Sequence, residues 1–364
     1  MKTLRGKLPK GAFPMGYVKI GRLLNSFYLQ KDSINMIKLS YLTLRILHKL
    51  YVKVSNSKKC MNLDDVCIDY QEASNIIKKY LISEQPFMVS RFGAVEISAL
   101  TNYLGIKSAK HSVLKYIMDK EPQWWWNDGV RYCMKNNAGF FPNTDENLCK
   151  FSELILNDLQ DIDILISWQP DEYRFISYMK KNIPRIHYVT IDSFMCEEPW
   201  TYYLKGKKVL VVHPFAQEIE DQYRNNRTKL FKNPKVLPEF KLITYPSVQS
   251  IGGNSLYKSW FDALKKMEND ISTIDFDICL LGCGAYGMPL AAYIKRMGKT
   301  AIHIGGSLQL LFGIRGARWE DPLYGIGIHH EQGAYCKHFN EHWIRPYKQS
   351  MVKNSKQVDN GCYW

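Results

Sequence analysis

Two stretches of this 364-residue chain set chemically able side chains where an apolar run hands over to a helix. In MVSRFGAVEISAL, residues 88–100, Arg91 and Glu96 flank Gly93. In FDICLLGCGAYGMPLAAYIKRMG, residues 276–298, Gly282, Gly284 and Gly287 follow a strand-like run as GxGxxG, with Tyr286 among them. A guanidinium is a fixed fork of donors for phosphate or carboxylate. A carboxylate can take a proton or hold a cation. A glycine turn that opens a helix lets backbone N–H groups approach an anion. The ordinary alternatives are a turn closed by an Arg91–Glu96 ion pair, and glycines that serve only tight helix–strand packing. His213 ends KKVLVVH ahead of Pro214 and is either a structural histidine or a proton acceptor. His303, Gly305 and Gly306 close TAIHIGG, where a dinucleotide-binding unit would carry an acid for the ribose. SVQSIGGN (247–254) reads as a sugar-lining loop or a plain connection, and WWW at 124–126 as a stacking platform or as packing.

Such residues need a scaffold to converge. Apolar runs at 86–90, 163–167, 186–191, 208–213, 241–245, 276–281 and 300–304 alternate with helical stretches at 146–159, 255–270 and 288–298. Continuous apolar strands between helices predict an α/β fold, a doubly wound, mostly parallel, Rossmann-like sheet covered on both faces. Sheets of that kind bind ligands at the carboxyl ends of their strands, where the residues above fall. The GxGxxG admits an NAD(P)-dependent oxidoreductase, although the acid for the ribose is missing. No GxxxxGK[ST], GxSxG or HExxH occurs, which argues against a P-loop and against those hydrolase types.

The net charge of +14 is concentrated at one end. Residues 1–60 hold thirteen Lys and Arg against Asp32 alone, and the rest of the chain carries only +2. This divides the chain into a basic arm (1–60), a nearly neutral body (61–345) and a polar C-terminal tail (346–364) whose GCYW could dock. A neutral body is not a nucleic-acid surface. Residues 33–53 form an amphipathic helix that places Lys38, Arg45, Lys49 and Lys53 on one face. Its charges interrupt every apolar run before the roughly 18 residues a membrane span needs. It suits an anionic membrane surface, or packing on the body with the basic face in solvent. Nine cysteines without a CxxC pair, and no leader-like apolar segment, point to reduced thiols in a cytoplasmic protein without a zinc site.

Over about residues 70–315 the chain resembles the bacterial glycosyltransferases of the GT-D fold. Those proteins open with a strand and an RFG-D-G-E segment, here Arg91, Phe92, Gly93, Ala94, Val95 and Glu96. They close with a strand, a glycine turn, a helix and a second strand, here LLGCGAYGMPLAAYIKRMGKTAIHIGG. SWFDAL and GCYW also resemble proteins of bacterial capsule and O-antigen clusters. The resemblance implies transfer of a sugar from a nucleotide-diphosphate donor to a surface-polysaccharide acceptor, lipid-linked in one version. The arm would then hold the protein peripherally on the inner face of the cytoplasmic membrane. It also implies substrate binding by Arg91, Gly93, Gly282, Gly284, Tyr286, Gly287, His303, Gly305 and Gly306. Catalysis would fall to Glu96 and, second, His213. The family's Asp-x-Glu is tied to a divalent cation, Mn²⁺ or Mg²⁺, but Ala94 stands in place of the Asp. His303 and Gly306 replace the closing Asp and His. Glu96 is left as a metal ligand with waters, a base, or a partner of Arg91. A halved motif also fits a non-catalytic sugar-nucleotide-binding or scaffold member.

Overall fold

The structure is a computed structural model that describes residues 40–55, 61, 63–253, 256–351, 361, 363 and 364. Residues 33–39 of the expected arm helix, Asn254 and Ser255 after SVQSIGG, and most of the expected tail (352–360 and 362) lie outside the described residues. The strands are β1 (Val66–Cys67), β2 (Met88–Arg91), β3 (Ile164–Ser167), β4 (Arg185–His187), β5 (Lys208–His213), β6 (Lys241–Pro246), β7 (Ile278–Leu281) and β8 (Thr300–His303). They form one sheet in the order β1-β4-β3-β2-β8-β7-β5-β6, and every pairing in it is parallel.

The apolar runs become strands because both faces are covered, so no position has to be polar. Side chains alternate between two cores. Met88, Leu165, Leu210 and Leu281 enter one; Val89, Ile166, Val211, Leu280 and Ile302 enter the other. Among the helices are α1 (Tyr70–Ile82), α2 (Ala94–Lys107), α3 (Asp145–Asp158), α4 (Ala216–Asn226), α5 (Trp260–Ser272) and α6 (Gly287–Arg296). Helices α2, α3, α5 and α6 build the first core. Helices α1 and α4 build the second, together with residues from Leu308 to Trp364. The architecture is therefore α/β and doubly wound.

Local chemistry sets the ends of these elements. Ser259 Oγ accepts the Asp262 N–H at 3.1 Å, so α5 starts at Trp260 and not at residue 255. The run expected as a strand over 186–191 stops after His187; Tyr188–Ile191 turn as a 3₁₀ helix and deliver Asp192. Asp69 and Thr144 cap α1 and α3 with side-chain oxygens. The N-cap residues of α2 and α6, Gly93 and Tyr286, make no side-chain cap.

The described residues fall into two compact units. The smaller contains a helix at 40–54 and the segment Lys110–Glu121, which sequence reading had left in the body. Within it, the His48 and Tyr116 rings stack with centroids 5.0 Å apart, and His48 Nδ1 lies 2.9 Å from the Tyr116 carbonyl oxygen. The larger unit holds the sheet. No described helix is long and apolar enough to cross a membrane.

Trp260 anchors the first core: fully buried, it stacks on Tyr286 at 4.8 Å and 7° and meets Phe151 edge-on at 5.3 Å. Trp260→Ala is expected to lower unfolding free energy by about 3–5 kcal/mol, read from denaturant midpoints. A loss below about 1 kcal/mol would show that the first core does not depend on this stack.

Candidate functional site

The register lines up the carboxyl ends of the central strands. Val212 on β5 pairs with Leu281 on β7, and Leu281 pairs with His303 on β8. Val89 on β2 pairs with Ile302, so Ser90 comes level with His303; Ser90 Oγ and His303 Nδ1 lie 3.1 Å apart. His213 and Gly282 follow one step further along their strands. The outgoing connection of β5 runs outward to β6 while that of β7 runs inward to β8. Adjacent strands whose connections diverge leave a crevice between them. A cavity of about 730 Å³ opens there.

The expected residues line this cavity in four groups. Arg91, Gly93 and Glu96 come from the β2–α2 connection, and His213 from the tip of β5. Gly282, Gly284 and Tyr286 come from the turn after β7, and His303, Gly305 and Gly306 from the tip of β8. Gly287 stands behind the lining, where His303 occupies the volume a Cβ would need. The loop after β6 contributes Ser247 and Ser250, and Ser250 Oγ lies 2.9 Å from the Tyr286 hydroxyl. The WWW run does not reach the cavity: Trp126 is buried in the first core.

Arg91 is partly buried, and its guanidinium sits 4.5 Å over the Trp168 ring. Its Nη1 donates to the Ile304 carbonyl at 3.4 Å. Burial lowers its pKa, against the opposing effects of Tyr363 and Glu96. Glu96, in the first turn of α2, folds back so that its carboxylate fills the volume a Cβ on Gly93 would need. Glu96 therefore sits where a first-turn carboxylate favours the positive end of its own helix. The two histidines are neutral donors or acceptors and not cations. Burial pushes His213 down to about 3. Burial, and after it the charge of Arg91, pushes His303 down to about 3. The Phe215 N–H donates to His213 Nδ1 at 3.0 Å, which assigns the ring proton to Nε2. His213 is thus built to donate a hydrogen bond, which disfavours the proton-accepting role expected of it.

Sequence reading missed the opposite wall. Asp192, 6 % exposed, lines the cavity and accepts a hydrogen bond from the Tyr335 hydroxyl at 3.0 Å. Burial raises its carboxyl to about 7, although Ser307, Tyr335 and the Arg91 charge all pull it down. Asp192 stands one residue past a run read as a strand, and that position was its only sequence signal. Arg318, Tyr335 and Tyr363 also line the cavity and come from a stretch with no periodicity. Two buried lining atoms, Ser247 Oγ and Gln309 Oε1, have no hydrogen-bond partner in the protein. Orphaned buried acceptors and donors of this kind call for a ligand or water.

Ala94 supplies no oxygen, and among the described residues no group of three or more His, Cys, Asp and Glu could hold a metal ion. Glu96 is the remaining half of the expected pair.

No family model matches the chain, and no curated protein matches it. Among solved structures, a selenomethionine-substituted structure of a domain of unknown function (1792) is similar, with a TM-score of 0.26 and 13% identity, over 75% of this chain and 90% of that one. Similarity at that level leaves the activity to be argued from this chain's own residues.

The buried histidines fix a pH dependence. Unfolded, each takes a proton near 6.5; folded, each refuses it until about 3. The unfolded state binds more protons in between, so stability falls as pH drops from about 6.5 toward 3, by ~1.4 kcal/mol per pH unit per histidine. His303→Asn removes one contribution. Its unfolding free energy, measured by denaturant titration across that interval, should fall less steeply than that of the unmodified chain. Parallel slopes would mean that His303 titrates normally in the fold.

Proposed function

We propose that this protein is a glycosyltransferase that uses a nucleotide-diphosphate sugar. One observation carries the reading. A single cavity at the diverging strands joins an anion-binding side to a buried carboxyl, Asp192. The anion-binding side consists of Arg91 and the backbone of the Gly282–Gly284 turn. Backbone N–H groups of that turn, together with the Arg91 guanidinium, favour a diphosphate there. The resemblance to GT-D-fold enzymes agrees with this choice of substrate.

In the reaction, the bond between the anomeric carbon and the β-phosphate oxygen breaks, and the electron pair leaves with the diphosphate. Arg91 and the glycine-turn N–H groups stabilise that developing charge. The acceptor hydroxyl oxygen bonds to the anomeric carbon and gives up its proton. Asp192 is the proton acceptor: a carboxyl titrating near neutrality can take a proton from the hydroxyl and release it to solvent. Glu96, folded over Gly93, holds Arg91 and the helix start in place. His213 donates from Nε2 to a ligand oxygen. The acceptor belongs to a surface glycan, as the resemblance implies.

Calorimetry with UDP-, GDP-, CMP- and dTDP-sugars tests the binding reading. One donor class should bind, and Arg91→Gln should weaken it at least tenfold; binding by none would contradict the proposal. Once a donor and acceptor are found, Asp192→Asn should cut turnover by roughly 10²–10⁴-fold. Turnover of the unmodified enzyme should rise with pH through about 7 as Asp192 ionises, and that inflection should vanish in the variant. A variant that keeps both rate and inflection would place the base elsewhere.

The smaller unit suits a membrane-surface partner. In the 40–54 helix, Leu42, Ile46, Leu50 and Val54 are exposed at four-residue spacing, beside Arg45, Lys49 and Lys53. Basic residues near an anionic bilayer each contribute roughly 1 kcal/mol. This unit docks the enzyme to anionic lipid near a lipid-linked acceptor. The full chain should sediment with phosphatidylglycerol vesicles and not with phosphatidylcholine, and Ile46→Glu with Leu50→Glu should abolish it. Equal sedimentation with both lipids would count against docking by charge.

A further inference from the structure

The cavity wall contains a second arginine whose surroundings are organised by residues far from it in sequence. The Arg318 guanidinium lies 4.9 Å over the ring of Tyr363. Arg91 reaches the same turn as Tyr363: a Cβ on Gly305 would meet Arg91 Nη1 at 3.1 Å, and a Cβ on the adjacent Gly306 would meet the Tyr363 ring. One tyrosine therefore touches the environment of both guanidiniums. Tyr363 is itself fixed. Its ring fills the volume a Cβ on Gly306 would need, and its carbonyl accepts from Gln309 Nε2 at 3.3 Å. The next residue clamps the backbone beside Arg318: the Trp364 carbonyl accepts the Ala317 N–H at 3.2 Å. Trp364 is 7% exposed, and its indole N–H donates to the Ser350 carbonyl at 3.3 Å.

Two guanidiniums that line one cavity repel each other, and the low dielectric of a partly buried site makes that repulsion larger than in water. Aromatic faces offset part of it through cation–π attraction: Trp168 under Arg91 and Tyr363 under Arg318. A ligand with two or more negative charges offsets it better. Gln309, whose Oε1 is buried without a partner, adds a hydrogen-bond acceptor on the same wall. A phosphate chain attached to a sugar and a nucleoside supplies both the anionic oxygens for the arginines and hydroxyls for Gln309.

We propose that Tyr363 and Trp364 are part of the ligand site: they dock to set Arg318 beside Arg91, and the two arginines together grip the diphosphate of a nucleotide. This rests on the reading of the cavity as a nucleotide-diphosphate site and adds the residues that complete it. Arg91 alone is a single fork. A pair of forks matches the two phosphates of the ligand and holds the diphosphate as it becomes the leaving group.

The test is calorimetric titration of the full chain with inorganic pyrophosphate and, separately, with UDP, GDP, CDP and dTDP. The unmodified chain, Arg318→Gln and Tyr363→Ala are compared. The unmodified chain should bind pyrophosphate, and a matching nucleoside diphosphate more tightly. Arg318→Gln should weaken both at least tenfold, and Tyr363→Ala should do the same by releasing Arg318. Arg318→Gln leaves the Tyr363 and Trp364 backbone contacts in place, so it decides the matter if Tyr363→Ala fails to fold. Should the unmodified chain bind a diphosphate and Arg318→Gln bind it equally well, the two-arginine grip is wrong while the diphosphate site stands. If the unmodified chain binds neither pyrophosphate nor any nucleoside diphosphate, both readings fall.

Discussion

Every strand of the sheet runs the same way, and that constraint places everything else. A parallel strand must return by a crossover, so all outgoing connections leave from one edge. Arg91, His213, Gly282 and His303 come from strands far apart in sequence, yet the register brings them to that edge within a rung of one another. The fold then needs only a divergence of neighbouring connections to open a crevice, and β5 and β7 supply it. The site follows from the winding of the sheet.

Charge in the crevice is arranged by burial more than by pairing. Burial keeps His213 and His303 neutral down to about 3. The same desolvation lifts Asp192 to about 7 in spite of its hydrogen-bond donors. The charges left to meet a ligand are therefore the guanidiniums, whose protons are not lost under physiological conditions, and the Glu96 carboxylate at the start of α2. Neutral imidazoles, an acid that titrates near pH 7 and fixed cations make a division of labour. In the proposed reaction the cations take the anion, the imidazoles donate or accept hydrogen bonds without adding charge, and Asp192 handles the proton.

Half of this site is legible in the sequence, and the reason is local. Arg91 to Glu96 and Gly282 to Gly287 sit where a run of β-branched and aliphatic residues stops at a glycine, so strand tip and helix start can be read together. The seven main strands are readable for the same reason. Strand β1 is two residues long and leaves no pattern. Asp192 was within reach, but the run before it read as strand to its last residue, while the chain turns as a 3₁₀ helix there. Arg318, Tyr335 and Tyr363 could not be found, because they belong to irregular segments placed only by tertiary contacts. Trp364 packs into the second core beside Phe215; that the GCYW end could dock was legible from its aromatic residues, but where it docks was not. For His213 the sequence leaves a structural role and a proton acceptor open; the Phe215 N–H on Nδ1, which leaves the ring proton on Nε2, is visible only in the fold.

The most direct test of the central claim is a crystal structure of the protein with the nucleoside diphosphate that binds it most tightly. The account predicts the diphosphate in the cavity, its oxygens within hydrogen-bond distance of Arg91 and of backbone N–H groups in the Gly282–Gly284 turn. A nucleotide bound elsewhere on the protein, with that cavity holding only water, would contradict it.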